Sequence, residues 1–260
     1  MSEPESSVAL AAMLPDLPQW VETRGMLLSG RAQILGFESR EAFVARVLHG
    51  ALSVVSVVGT PRADAIQEAV AGCTPMTPVI AQAGNAPHVG AALPQWSGER
   101  AIVHALPPHA VMPPGPADTV IRILSHREIG RLAHVPPGLR HELTHALDLT
   151  PVAAVFVEDT PVSFCYPCWR TETLWDVSVD TLEEYRGRRL AAAAFDFMYR
   201  EMQATGRQPV WGAMESNTAS LRLAARIGFV AVTEIVVFSK GHWAFLSAGF
   251  QGESPDVPKG

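Results

Sequence analysis

Cysteine is scarce in this 260-residue chain. Three thiols are too few to staple a protein of this length, so an apolar core must hold the fold and a reducing compartment is expected. Long apolar runs are missing too. The longest, Ala51–Gly59 and Val152–Val157, are strand-sized and far too short to span a bilayer, so no membrane partner is expected. Nor is there a basic run. Twenty basic against 26 acidic residues give a net charge of −6, which argues against nucleic acid as a partner and suits a cationic amine better. Glu3 and Glu5 stand where a signal peptide would carry positive charge, so the protein is expected to be soluble and cytoplasmic. No short period repeats along the chain.

What is present is ample core material: 48% of residues are apolar and 18% charged, enough for one large domain or two small ones. The segment 107–118, PPHAVMPPGPAD, holds five prolines and one glycine in twelve residues. No helix or central strand survives that, so it is the expected linker between an N-terminal α/β domain (1–106) and a C-terminal domain (119–260). Before the linker, strands are expected at Ala51–Gly59, Met76–Gln82 and Arg100–Leu106, with helices at Ala63–Gly72 and Ala86–Leu93. This half carries few candidate catalytic residues, and a structural or substrate-capping role is the plainer expectation.

Beyond the linker, the pattern predicts a strand at Ile121–Leu124, a helical region ending near Asp148 and a hairpin of Val152–Val157 with Val162–Cys168. A strand at Leu174–Val179, a helix at Leu190–Met202, a strand at Gln208–Ala213, a helix at Thr218–Ile227 and a strand at Val230–Ser239 follow. The chemistry concentrates where the strand ending at Val179 gives way to a polar loop and then to Tyr185-Arg-Gly-Arg-Arg-Leu-Ala191. A helix N-terminus offers unpaired amides and the positive end of its dipole. Gly187 allows close backbone approach, and Arg186, Arg188 and Arg189 add charge, so a pyrophosphate is the natural guest. An ordinary basic helix start would look the same.

The stretch Asn217-Thr-Ala-Ser-Leu-Arg-Leu-Ala-Ala-Arg-Ile-Gly-Phe229 resembles the signature Asn-x-x-(Ala/Ser)-x-x-(Leu/Val)-x-x-x-(Leu/Ile)-Gly-Phe of the GCN5-related N-acetyltransferase (GNAT) superfamily. Arg186–Ala191 likewise resembles that family's acyl-CoA motif, (Arg/Gln)-x-x-Gly-x-(Gly/Ala), one helix and one strand upstream. The strand Asp176–Thr181 and Pro209-Val-Trp look like a bacterial branch of the family. The resemblance covers about residues 119–240. It implies a mixed, mostly antiparallel sheet flanked by helices and splayed between two parallel strands. It also implies acetyl-CoA or another acyl-CoA as cofactor, and direct attack of an amine of a small molecule or peptide on the thioester. On this resemblance Val177, Ser178 and Val179 face the pantetheine arm, the amides of Tyr185, Arg186, Gly187, Arg188, Arg189, Leu190 and Ala191 cradle the pyrophosphate, and Asn217 and Ser220 flank the cofactor. Two positions depart from the pattern: Arg189 replaces a glycine, and Ala224 replaces the tyrosine acid of many relatives. A non-catalytic acyl-CoA-binding module would share these departures.

For the general base, Glu215, Asp176 and Glu172 are the candidates, and Tyr166 and Trp169 could wall the acceptor site; each has a plainer role as a surface or packing residue. His141-Glu-Leu-Thr-His145 matches H-E-x-x-H, whose helical form grips zinc with Glu142 as base, and defines a rival zinc hydrolase. The segment is expected to be only about two turns long, and a chance helix face with no metal is the preferred reading. Cys165-Tyr-Pro-Cys168 is read as sheet cysteines, not as a redox pair or half of a zinc site. The N-terminal half is guessed to be a degenerate copy of the same fold. The sequence specifies no oligomeric state; a homodimer is one option.

Overall fold

The computed structural model describes residues 6–50, 53–108, 110, 116 and 119–240. Most of the proline-rich segment 107–118 therefore lies outside the described residues. Among the described residues eleven strands form one sheet in the order β1-β2-β3-β4-β11-β5-β10-β9-β8-β7-β6. The N-terminal half supplies β1 (Gln33–Ser39), β2 (Ala42–Val47), β3 (Val54–Val58), β4 (Val79–Gln82) and β5 (Ser97–Ala105). The C-terminal half supplies β6 (Val120–Ile123), β7 (Ala153–Val157), β8 (Thr160–Arg170), β9 (Leu174–Thr181), β10 (Gln208–Met214) and β11 (Val230–Ser239). Among the described residues seven α-helices cover it: α1 (Ser7–Ala11), α2 (Val21–Leu28), α3 (Ala63–Val70), α4 (Ala86–Ala92), α5 (Pro137–Leu149), α6 (Leu190–Gln203) and α7 (Thr218–Ile227).

The run β3-α3-β4-α4-β5 has the same connectivity as β9-α6-β10-α7-β11, and in each run the first two strands pair in parallel. The third strands change places. β5 lies antiparallel on β10, β11 lies antiparallel on β4, and β5 and β11 pair with each other along their lengths. The sheet is thus closed across the middle by strands donated in both directions.

The sequence pattern accounts for the helices that sit on the C-terminal half. α6 buries Leu190, Ala194, Phe195, Met198 and Met202 along one face. Phe195 anchors it, its ring centroid 6.0 Å from Trp175, 6.0 Å from Trp211 and 5.4 Å from Phe229. Aromatic pairs of this kind contribute about 0.5–1.5 kcal/mol each beyond their burial. α7 starts at Asn217, whose side-chain oxygen accepts the Ser220 amide at 3.1 Å, and stops at Gly228 in the left-handed region. α5 runs for 13 residues, longer than the two turns expected from the prolines before it, because Pro136 and Pro137 sit at its N-terminus, where a missing N–H costs nothing.

α2 has no such regular stripe. It buries Thr23 and Arg24 as well as Val21, Met26 and Leu27, and Arg24 is what fastens it. The guanidinium forms a two-pronged ion pair with Glu172, at 2.8 and 2.7 Å, and donates to the carbonyls of Ala11 and Leu14. Gly25 lets the helix lie against β8: a Cβ there would stand 2.9 Å from the Trp169 Cβ and 3.0 Å from the Arg170 amide nitrogen.

Candidate active site

β9 and β10 pair in parallel only from Leu174/Gln208 to Asp176/Val210. Beyond that point β10 follows β5 as far as Met214, while β9 follows β8 as far as Thr181. The two strands diverge, leaving a wedge whose facing backbone edges, 177–181 and 211–214, have no ladder partner across it. A buried edge of this kind needs hydrogen-bonding groups from elsewhere.

On the α6 side the wedge opens into a cleft of about 700 Å³, large enough for an extended cofactor. It is lined by Val179, Asp180 and Thr181 of β9, by the Tyr185–Ala192 turn without Arg188, and by Trp211, Asn217, Ala219, Ser220, Leu223 and Arg226. Ala193 makes the first backbone bond of α6, to the Arg189 carbonyl, so the amides of Leu190, Ala191 and Ala192 have no earlier carbonyl of the helix to reach. Gly187 has φ +78° and Arg189 φ +63°. The left-handed turn at Arg189 is strained for a side-chain-bearing residue by about 1–2 kcal/mol, and it aims the turn at the cleft. The opposite wall is fixed by the Trp211 indole N–H, which donates to the Ser220 hydroxyl at 2.9 Å. Asn217 uses its oxygen as the α7 cap, so its Nδ2 is left for the cleft.

The structure thus brings Val179, Tyr185, Arg186, Gly187, Arg189, Leu190, Ala191, Asn217 and Ser220 to one cleft. Val177 and Ser178 contribute the strand edge below it. Arg188 does not line the cleft; its guanidinium lies 5.2 Å from the ring centre of Tyr185. Ala224 is fully buried in the core, so a side chain there would face the sheet, whereas Leu223 faces the cleft. Two charged wall residues escaped the sequence reading. Arg226 occupies an unspecified position inside the Asn217–Phe229 motif and lines the cleft one turn of α7 beyond Leu223. Asp180, next to Val179, has its carboxyl pushed up to about 7 by burial and by Glu142, against the pull of Arg186.

The three candidate bases separate. Glu172 is not on a strand. It sits in the β8–β9 turn, which Thr171 and Leu174 close by mutual hydrogen bonds, and its carboxylate is held by Arg24 and pushed below the usual range. That turn is at the opposite end of β9 from the cleft. Glu215 follows β10, but its carboxylate lies 3.6 Å from Arg100 of β5, on the side away from the wedge. Asp176 stands at the apex, opposite Val210 in the last paired position. Burial and the nearby Glu22 carboxylate raise its carboxyl well above the usual range.

Tyr166 is not an open wall residue. It is fully buried and donates its hydroxyl to Glu142 of α5. Trp169 packs beside α2. The same contact describes the H-E-x-x-H segment: Glu142 turns into the core, its carboxyl raised by burial despite the Tyr166 bond. His141 and His145 meet edge-on at 4.3 Å, and His145 Nδ1 bonds the His141 carbonyl. Among the described residues, no group of three His, Cys, Asp or Glu side chains is placed to hold a metal ion. The thiols of Cys165 and Cys168 are driven well up by burial, which suits sheet packing and not thiolate chemistry. Tyr166→Phe is expected to cost about 1–3 kcal/mol, because Glu142 keeps its buried carboxyl and loses its donor; urea denaturation at neutral pH measures it.

Residues 153–238 match the family model for GNAT acetyltransferase, and this stretch includes both edges of the wedge, the cradle and α7. The segment 153–238 belongs to the GNAT superfamily. Over 80 residues the chain is 32% identical to YdfB of Bacillus subtilis (strain 168), an N-acetyltransferase described as uncharacterized; the match spans 31% of each chain. Solved structures extend the likeness in fold to nearly the whole chain. A GCN5-related N-acetyltransferase-like protein from Streptococcus suis 89/1591 superposes with a TM-score of 0.66 at 16% identity, over 90% of this chain and 98% of that one. An acetyltransferase from the GNAT family of Colwellia psychrerythraea gives 0.58 at 11% identity, over 92% and 97%. The GNAT fold thus accounts for the wedge, with helices on both faces of a mostly antiparallel sheet. No helix among the described residues is long and apolar enough to cross a membrane.

Proposed function

We propose that this protein transfers an acetyl or other short acyl group from acyl-CoA to an amine of a small molecule or peptide, by direct attack. The observation that carries the reading is the wedge itself: two parallel strands part beside a helix N-terminus that has unpaired amides and two cleft-facing arginines. The residues fit the donor. An extended amide-bearing arm would find hydrogen-bond partners on the edges 177–181 and 211–214, and a pyrophosphate would meet the Arg186–Ala191 turn. Bound acyl-CoA would supply an activated thioester carbonyl at the apex. The chain's own part is to hold that group away from bulk water, to orient it by the β9 edge, and to accept the amine's proton. Of the three carboxylates considered for that proton, Asp176 is the one beside the apex. Because Ala224 offers no acid, the leaving sulfur takes its proton from water or from the amine. The N-terminal half, in this reading, is a degenerate copy of the same fold.

Calorimetric titration with acetyl-CoA tests the reading. Saturable one-to-one binding is expected. The absence of binding by folded protein at millimolar ligand would overturn it.

A further inference from the structure

The wedge has a second face, across the sheet from α6, and there the N-terminal half reaches it. Side chains alternate along a strand, so while Trp175, Val177, Trp211 and Ala213 pack under α6, Asp176, Val210 and Gly212 point toward α2. Together with Gln19 and Glu22 they line a cavity of about 10 Å³, room for one water or one ammonium group. Gly212 is two residues past Val210, the last β10 residue paired with β9, so the cavity lies at the apex of the wedge, where the strands part. The Glu22 Oε1 would be 3.9 Å from a Cβ on Gly212, which places this carboxylate directly over the opening.

Glu22 makes no hydrogen bond or ion pair among the described residues. The nearest cation on its own helix, Arg24, is committed to Glu172 and to two carbonyls. The titratable groups that face Glu22 are Asp176 from β9 and Cys168 from β8; the thiol shares a hydrogen bond with Ser178. All are neutral or acidic. Burial with no cation beside it raises Glu22 to about 7, and burial together with the Glu22 charge raises Asp176.

We propose that Glu22 of the N-terminal half and Asp176 of the GNAT domain act as one carboxylate pair that receives the acceptor's ammonium group and takes a proton from it. This rests on the acyltransferase reading above. The ammonium gives one proton to the pair. The neutral nitrogen then bonds to the acyl carbon as the carbon–sulfur bond breaks, a second nitrogen proton ends on the thiol, and the pair returns its proton to water. The N-terminal half thereby supplies part of the site.

Infrared titration of the full chain tests the pair without any acyl-CoA. Relative to wild type, Glu22→Gln is expected to remove a protonated-carboxyl band titrating near pH 7 and to move the Asp176 band, identified with Asp176→Asn, to lower pH. In wild type, methylammonium chloride should lower the pair's midpoint by about one pH unit, a tenfold change in proton affinity. Tetramethylammonium chloride at equal ionic strength should not, because it has no N–H and exceeds the cavity. The proposal fails if Glu22→Gln leaves the remaining carboxyl bands unmoved, or if the two cations act alike; the second arm needs no variant to fold. Linkage adds a stability readout. The native state holds this proton more tightly than the unfolded chain does, so the stabilisation is complete below about 4.5 and is lost as pH rises through about 7. Wild type should therefore lose stability relative to Glu22→Gln across that window. A chain that fails to bind acetyl-CoA would sink the acyltransferase reading and leave these carboxyl titrations to be judged on their own.

Discussion

Reversing both cleft-facing arginines of the cradle, Arg186→Glu with Arg189→Glu, is expected to weaken acetyl-CoA binding by at least about 100-fold. Each charge-assisted bond to a phosphate contributes about 1.5–3 kcal/mol. The double variant loses two and adds repulsion, so about 3–6 kcal/mol is at stake, even after screening of these exposed side chains by salt. Arg189→Gly separates charge from backbone. Its left-handed conformation costs an arginine about 1–2 kcal/mol and a glycine almost nothing. The glycine variant should therefore be at least as stable as wild type in thermal unfolding, yet bind acetyl-CoA several-fold more weakly. Full affinity in the double variant would place the phosphates somewhere other than the Arg186–Ala191 turn.

Arg24→Ala should cost about 2–4 kcal/mol, a large part of the stability of most single domains. The loss has two sources. The side chain is 11% exposed; its removal leaves the Leu14 carbonyl without its donor, at about 1–3 kcal/mol, and the Ala11 carbonyl with only the Leu14 amide. It also releases Glu172, which is half-exposed and regains water, so that share is smaller. Arg24→Lys should recover little, because one ammonium cannot reproduce a planar fork that meets a carboxylate and two carbonyls at once. Chemical denaturation at neutral pH gives the size of the effect. The Glu172 share carries its own signature. Its carboxyl is depressed in the folded state, so its contribution is present above the ordinary glutamate value and fades as pH falls through the lower folded value. The gap between wild type and Glu172→Gln should narrow in acid.

The sequence disclosed the C-terminal half almost element by element. α7 and β11 occupy the predicted residues, because a capping asparagine, an apolar stripe, a left-handed glycine and a β-branched run agree with one another. The Arg186–Ala191 turn was legible for a related reason: its groups are contiguous backbone amides and adjacent arginines, so their arrangement follows from a single loop. The first 47 residues were opaque. α2 turns Thr23 and Arg24 inward, and that face carries no apolar period to read. Glu172 counted as a candidate base because its partner, Arg24, lies 148 residues away in sequence, and the Thr171–Leu174 bonds turn the chain so that the two meet. Tyr166 and Glu142 each looked like a site residue, and their mutual bond shows why neither is open. Glu22 could not be found at all. Its setting is made by a helix some 150 residues away in sequence from the strand it approaches, and no local pattern encodes that meeting.

The exchange of β5 and β11 has a consequence for how the chain is made. The strand that completes β4 begins at Val230, while β4 ends at Gln82. At ribosomal elongation rates the interval between them is on the order of 10 s, and throughout it the centre of the finished sheet is an open edge. The N-terminal half emerges first yet cannot close first; it waits for a strand translated after the cradle. Birth order and folding order are therefore uncoupled in this protein, and nascent chains depend on protection of the β4 edge until β11 is released.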